Sequence, residues 1–212
     1  MVGKIQMEFE NILYKKINEL ALITINREDK HNAISLKTLE ELMKSVDFAA
    51  GDQTISVIAI TGAGGKSFAS GSDLSEVIDR DLKKALEPII QGLAEKLERT
   101  PKPTIAAIDG FCMGGGLEIA LGCDLRVGTT RSIFATPEGK LGLIPGGGAT
   151  ARLPRVVGRG WGMEMLLMGE QINAQRAFQI GLITRLVEPE ELMAEITNMA
   201  ERLSSFAPFV PQ

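Results

Sequence analysis

The chain has 212 residues, of which 44% are hydrophobic and 24% charged, and this composition predicts one globular domain, residues 1–212, with a substantial core. The formal net charge of -4 argues against a nucleic-acid partner, and no apolar run approaches the roughly 18 residues of a membrane-spanning helix. The acidic, weakly apolar start argues against a targeting signal, and two cysteines with one histidine predict neither a disulfide framework nor a metal site. We therefore expect a cytoplasmic protein without a membrane partner.

In chain order, the hydrophobic pattern alternates between strands and helices. Residues 12–26 predict a hairpin that turns at Asn18-Glu19, and Ser35 is the expected N-cap of a helix. The buried face of that helix should carry Leu36, Leu39, Leu42, Met43 and Val46. Further along we expect strands at 56–62, 104–110, 124–129 and 132–136, and helices at 82–99 (kinked or restarted at Pro88), 117–121, beyond Pro145, from Asn173 to Gly181, and from about Pro189 to Leu203. This alternation predicts an α/β fold with largely buried strands.

Two of the four glycine clusters resemble phosphate-binding motifs only superficially. GAGGKS at 62–67 ends like a P-loop, but Ile60 stands where that motif requires glycine. GGGATA at 146–151 fits the loose dinucleotide pattern, but it follows Pro145 rather than a strand and has no well-spaced acidic ribose partner. We therefore assign neither cluster to a nucleotide.

The other two clusters, at Gly71 and at Gly114–Gly116, stand at predicted turns that lead into helices. Glycine lets a ligand approach the backbone closely and leaves N–H groups free to donate. Two such turns that face each other would form an oxyanion hole. The alternative for each is a tight turn with no further role, but both lie within three residues of a carboxylate or hydroxyl.

Two glutamates are the candidate acid–base groups. Glu118 falls in the first turn of an apolar helix, where its alternative role is to interact with the helix dipole. Glu138 follows Thr136-Pro137 in a turn, and its alternative is an ordinary loop glutamate. Two carboxylates beside an oxyanion hole suit proton transfer next to a carbonyl, or addition of water to a polarised double bond. His31, the only histidine, is expected in an exposed basic loop rather than in a Ser-His hydrolase site, and both cysteines are expected in the core.

Five segments, in order, resemble the enoyl-CoA hydratase/isomerase (crotonase) family. They are NREDKHNAIS (26–35), SFASGSDLSE (67–76), KPTIAAIDGFCMGGGLEIALGCDLR (102–126), FATPEGKLGLIPGGGATARLPRVVG (134–158) and INAQRAFQIGLITRLV (172–187). The resemblance implies a crotonase-like β-β-α spiral of the ClpP/crotonase type with two nearly perpendicular sheets. It also implies that the C-terminal helical region, which starts at about residue 190, is truncated after SSFAPFVPQ.

By the same resemblance, the N–H groups of Ser72 and Gly115 would hold the thioester oxygen of an acyl-CoA substrate. Glu118 would position and deprotonate the attacking water, and Glu138 would protonate the α-carbon. Substrate-binding positions would be Lys30, Ala33, Ser70 and Asp73, with coenzyme A as part of the substrate and no separate cofactor or metal.

The implied activity is hydration of a 2-enoyl-CoA, and several alternatives stay open. They are an enoyl-CoA isomerase, another acyl-CoA lyase of the family, and a non-catalytic CoA-thioester or RNA-binding relative. Both glutamates favour the hydratase, although serines 70 and 72 replace alanines that are common in the family. The resemblance and the apolar residues Phe206, Phe209 and Val210 imply a homotrimer or a dimer of trimers.

Overall fold

The computed structural model of the chain describes residues 9–78 and 89–206, and within them two β-sheets. Six strands form the larger sheet in the order β1-β2-β3-β5-β7-β10, and four form the smaller one in the order β4-β6-β8-β9. The strands are β1 Ile12–Ile17, β2 Leu20–Ile25, β3 Val57–Gly62, β4 Ser67–Ala69, β5 Thr104–Ile108, β6 Phe111–Met113, β7 Leu125–Thr129, β8 Ile133–Ala135, β9 Ile172–Asn173 and β10 Arg185–Val187.

Eight α-helices and four 3-10 turns accompany these strands in the described ranges. The helices are α1 Leu36–Gly51, α2 Leu74–Ile78, α3 Ile89–Arg99, α4 Gly115–Gly122, α5 Ala149–Val157, α6 Arg159–Met168, α7 Ala174–Gln179 and α8 Leu192–Ser204. The 3-10 turns are Glu28–Lys30, Ala63–Gly65, Pro137–Leu141 and Pro189–Glu191. None of these helices is long and apolar enough to cross a bilayer.

The larger sheet is parallel from β2 onward, and β1 joins it as the antiparallel arm of the predicted hairpin. One face packs against the α8 residues Leu192, Ile196 and Met199, while the other face joins the main core with α1, α3 and α4. With both faces covered, the apolar runs of β3 and β5 are buried throughout their strands. The predicted α/β class is confirmed.

Most predicted elements are confirmed, including the cap at Ser35, whose hydroxyl accepts the Thr38 N–H at 3.1 Å. Leu36 is a correction, since it is 47% exposed at the first position of α1 instead of lying on the buried face. The helical run beyond Pro145 is two helices, because Gly158 takes a φ of 81° between them. Helix α4 starts at Gly115, two residues before the predicted start. The predicted helical stretch 82–88, with Pro88, and the residues Phe209 and Val210 lie outside the described ranges.

The smaller sheet positions the two glycine turns. Strands β4 and β6 are parallel neighbours, so the loops that leave their carboxyl ends emerge side by side. Gly71 follows β4 and Gly114 follows β6, and each loop leads directly into a helix. None of β4, β6 and β9 was predicted as a strand, because two or three residues are too few for a periodic pattern.

Candidate active site

The two glycine loops meet at their backbones. Gly71 has a φ of 116° and Gly114 a φ of 49° with ψ of -123°, conformations that a residue with a side chain rarely adopts. The amide nitrogen of Ser72 lies 3.5 Å from where a Cβ on Gly115 would stand, and the Gly115 nitrogen lies 3.9 Å from the equivalent point on Gly71. The two loops therefore lie in van der Waals contact, and it is the positive φ of Gly71 and Gly114 that calls for glycine at those positions.

The amides of Ser72 and Gly115 remain available as donors. The backbone of Ile34 binds the first loop on both sides of Ser72: its N–H donates to the Gly71 carbonyl at 2.8 Å, and its carbonyl accepts the Asp73 N–H at 2.9 Å. The N–H of Ser72 takes part in neither bond. The N–H of Gly115 belongs to the first turn of α4, where no intrahelical acceptor exists. Within the described residues, neither group donates a hydrogen bond. The arrangement suits two donors converging on one oxygen.

Glu118 is buried beside this pair, with 3% of its surface exposed. Its Oε1 accepts the N–H groups of Gly147 at 2.7 Å and of Ala149 at 3.1 Å, at the N-terminus of α5. Burial raises the pKa of Glu118 above its ordinary value, while these backbone bonds and the positive charge of Arg152 oppose the rise. The carboxylate is held in one orientation, and its proton affinity is increased.

Glu138 lies in the 3-10 turn Pro137–Leu141, against the second glycine loop. Its Oε1 is 3.0 Å from where a Cβ on Gly114 would stand, and its Oε2 is buried with no hydrogen-bond partner in the described part of the chain. Burial raises the pKa of Glu138 to about 7, and the negative charge of Glu118 adds to the rise. A carboxyl with that pKa can hold and release a proton near neutral pH.

All eight predicted site residues line one cavity of about 700 Å³. The acid–base and donor candidates Glu118, Glu138, Ser72 and Gly115 share it with the substrate-binding candidates Lys30, Ala33, Ser70 and Asp73. Its other walls are largely apolar and include Ile34, Leu39, Leu74, Ile90, Leu141, Leu143 and Ile144. A polar reaction centre therefore opens into space that can accept a hydrocarbon chain.

The loop that carries Lys30 and Ala33 is fixed by Asn32. This residue has a φ of 56° and is buried; its amide donates to the carbonyls of Ala63 at 3.0 Å and Ser67 at 2.6 Å, and its Oδ1 accepts the Arg27 N–H. Lone His31 lies on the same loop and is exposed, as expected.

The side chain of Asp73 is already engaged at the mouth of the cavity. Its carboxylate accepts from Ser75 Oγ at 2.7 Å and from Arg27 Nη2 at 3.0 Å, and these bonds lower its pKa. Its contacts therefore join the loops of Arg27 and Gly71. No group of three His, Cys, Asp or Glu side chains in residues 9–78 and 89–206 is arranged to hold a metal ion.

Sequence reasoning missed the role of the glycine run at 146–148. Its amides hold Glu118, and a Cβ on Gly147 would lie 2.5 Å from Glu118 Oε2 and 2.6 Å from Ile90 Cγ2. The available signal was the one used for Gly114–Gly116, namely glycines directly before a helix N-terminus, which offers N–H groups to an anion. Here the anion is a side chain of the protein itself.

Relatives of known name match most of the chain. The sequence profile of the enoyl-CoA hydratase/isomerase family matches residues 15–210. The crotonyl-CoA hydratase of Syntrophomonas wolfei is 39% identical over 201 residues, which are 94% of this chain and 77% of the relative. The short-chain-enoyl-CoA hydratase of Clostridium acetobutylicum is 38% identical over 204 residues, which are 95% of this chain and 78% of the relative.

Solved structures agree with the sequence matches. The crystal structure of an enoyl-CoA hydratase from Bacillus anthracis superposes with a TM-score of 0.91 at 34% identity, covering 94% of this chain and 78% of that one. An enoyl-CoA hydratase structure from Geobacillus kaustophilus gives a TM-score of 0.90 at 33% identity, covering 95% and 78%. Fold, segment order and sequence identity lead to one conclusion: the chain belongs to the enoyl-CoA hydratase/isomerase family.

Proposed function

We propose that this protein is an enoyl-CoA hydratase that adds water across the 2,3-double bond of a 2-enoyl-CoA thioester. The observation that carries the proposal is the meeting, in one cavity, of two free backbone donors and two glutamates with raised pKa values. The names of the relatives from Syntrophomonas wolfei and Clostridium acetobutylicum support the same activity.

The thioester oxygen binds to the N–H groups of Ser72 and Gly115. Addition of water to the β-carbon moves an electron pair toward this oxygen and creates an enolate. Donors that are fixed before the reaction stabilise that charge without reorganising, and removal of one such donor typically costs roughly 100–1000-fold in rate. The positive end of α4, which starts at Gly115, adds to the stabilisation.

The two glutamates divide the proton transfers. Glu118, as the carboxylate, takes a proton from water while the water oxygen bonds to the β-carbon. Glu138, as the carboxylic acid, gives its proton to the α-carbon as the enolate collapses to the 3-hydroxyacyl thioester. Exchange with solvent then restores the ionised Glu118 and the protonated Glu138, and positioned groups of this kind contribute about 100–10,000-fold each.

The coenzyme A part of the substrate lies along the loop of Lys30 and Ala33 and past Ser70, and the acyl chain lies along the apolar walls near Ile90. The reaction as proposed uses no further cofactor. We also propose that the chains assemble as a homotrimer or a dimer of trimers, which light scattering at micromolar concentration tests; a monomer alone would contradict this.

The deciding experiment measures loss of the conjugated-thioester absorbance with a series of 2-enoyl-CoA esters. Glu118→Gln and Glu138→Gln should each lower kcat by orders of magnitude with little change in KM, because an amide can neither take up a proton, as Glu118 must, nor release one, as Glu138 must. The double variant should be far less than additively worse, since the two groups act as one unit.

The same variants separate a hydratase from the alternative isomerase when they are assayed on a 3-enoyl-CoA. Isomerisation moves one proton between two carbons and can proceed with a single carboxylate. If Glu118→Gln kept near-normal activity while Glu138→Gln was inactive, the isomerase would replace the hydratase as the assigned activity.

A further inference from the structure

The backbone of the residue that holds Glu118 is itself held on its other side. The Gly147 N–H donates to Glu118 Oε1 at 2.7 Å, and the carbonyl of the same residue accepts from Arg152 Nη1 at 3.1 Å. Gly147 thus stands between an acid–base carboxylate and a guanidinium. Arg152 is not among the residues that line the cavity, so it does not face the substrate.

Arg152, on α5, is fixed in turn by Glu98, on α3. Its Nε and Nη2 donate to the two carboxylate oxygens of Glu98, both at 2.7 Å, in a two-pronged pair. The Arg152 side chain is only 13% exposed, whereas that of Glu98 is 47% exposed. A two-pronged pair fixes the plane of the guanidinium, and therefore the direction of the remaining Nη1 donor.

The same guanidinium packs against the next residue of the loop. Gly148 has a φ of 105°, and any Cβ there would overlap Arg152 Nη1. The Gly148 carbonyl also accepts the backbone N–H groups of Ala151 and Arg152 at the start of α5. Arg152 therefore occupies the space that a side chain at position 148 would need.

We propose that Arg152 is a positioning residue for Glu118: clamped by Glu98, it fixes the backbone of Gly147 through the carbonyl of that residue, so that the N–H of the same residue stays on Glu118 Oε1. The inference rests on the proposed role of Glu118 as the base that activates water. It goes beyond that role, because Arg152 acts through the backbone of Gly147 and touches neither substrate nor reacting atoms.

The charges around Glu118 give this arrangement an electrostatic signature. Arg152 faces it from α5 and Glu138 from the 3-10 turn, while Glu95 and Glu98 on α3 face Arg152. The positive charge of Arg152 lowers the pKa of Glu118, in opposition to burial. Loss of that charge raises this pKa further and moves the acid limb of the pH–kcat profile to higher pH.

The test is Arg152→Met in the intact protein, assayed for hydration of a short 2-enoyl-CoA. We expect kcat to fall roughly 10–100-fold, the scale of a small misplacement of a reacting group, with KM within about twofold of the parent. The acid limb of the pH–kcat profile should move to higher pH. The matched control is Arg131→Met, which removes a similar two-pronged pair with Asp109, at 2.7 and 2.5 Å, outside the cavity; its kcat and pH profile should not change.

Unchanged kcat and pH profile in Arg152→Met, or effects no larger than those of Arg131→Met, would overturn the inference. Glu98→Gln covers the case in which Arg152→Met does not fold, because it keeps the donor to Gly147 but weakens the clamp; we expect an intermediate fall in kcat, and no fall contradicts the clamp. Glu118→Gln distinguishes a failure of the proposed function from a failure of the proposed role of Arg152. If that variant stays active, the proposed function fails, whereas an inactive Glu118→Gln beside a normal Arg152→Met refutes only the role of Arg152.

Discussion

Replacement of Glu138 by Gln should stabilise the folded protein while removing its proposed activity. The side chain has a buried oxygen without a partner in the described residues, and burial raises its pKa from 4.5 to about 7. Ionisation therefore costs more in the folded state than in the unfolded state. The isosteric amide carries no charge and avoids this cost.

The magnitude follows from the pKa difference. The unfolded carboxyl ionises near pH 4.5 and the folded one near pH 7, so the wild-type protein loses stability as the pH rises between these values and no further above them. The full difference corresponds to roughly 3 kcal/mol, and access of water from the cavity reduces it to about 1–2 kcal/mol. Glu138→Gln should then melt roughly 2–8 °C above the wild type at pH 8.

Thermal and urea unfolding at pH 4 and pH 8 measure the effect. At pH 4 the Glu138 carboxyl of the wild type is mostly protonated in both the folded and the unfolded state, and the two proteins should be close in stability. Glu164→Gln is the matched control, since this glutamate lies exposed on α6. A gain at pH 8 no larger than that at pH 4, or a gain shared by Glu164→Gln, would refute the reasoning.

Four further variants test other parts of the structure. Gly115→Pro deletes a proposed oxyanion donor and should abolish hydration, whereas Ser72→Ala keeps its backbone N–H and most activity; a Ser72→Ala variant as inactive as the glutamate variants would mean that the hydroxyl takes part in the reaction. Asn32→Ala removes three hydrogen bonds and places alanine at a positive φ. We therefore expect the free energy of unfolding, measured in urea, to fall by about 2–4 kcal/mol, and the KM for CoA esters to rise. Arg126→Met removes the guanidinium donor from the carbonyls of Cys123 and Leu182 and should cost roughly 3 kcal/mol, with wild-type stability as the contradicting result.

The fold was predictable wherever elements are long enough to show a period. The hairpin, the apolar runs of β3 and β5, and the capped helices α1 and α7 all follow from local patterns, and the Asn173 cap accepts the Arg176 N–H as expected. In the smaller sheet β8 lies within the predicted strand 132–136, but β4, β6 and β9 were not predicted, because their pairing depends on distant partners. Leu36 was wrongly predicted to be buried for a related reason. Helical spacing shows which residues share a face, but it does not show whether the core covers that face as far as the first turn of the helix.

The acid–base side chains of the site could be predicted from the sequence, whereas most of the groups that hold them in place could not. Glu118 and Glu138 stood out because charge within or beside apolar, glycine-rich sequence requires a reason, and the cavity brings both together. Nothing local linked Glu98 to Arg152, 54 positions away, or either of them to Gly147. That linkage exists only once α3 and α5 both pack against α4, which brings the two side chains within reach of each other.

The proposed oxyanion donors belong to the peptide backbone, and this has a consequence for how such a protein evolves. Among ordinary substitutions only proline deletes an N–H, so residues 70 and 72 can drift between small side chains while the donors persist. The carboxylates, in contrast, come from α4 and a 3-10 turn, and each can be lost or moved by one substitution. Charge stabilisation is therefore inherited with the fold, whereas proton transfer is open to change, and one ancestral scaffold can give rise to different reactions that pass through an enolate.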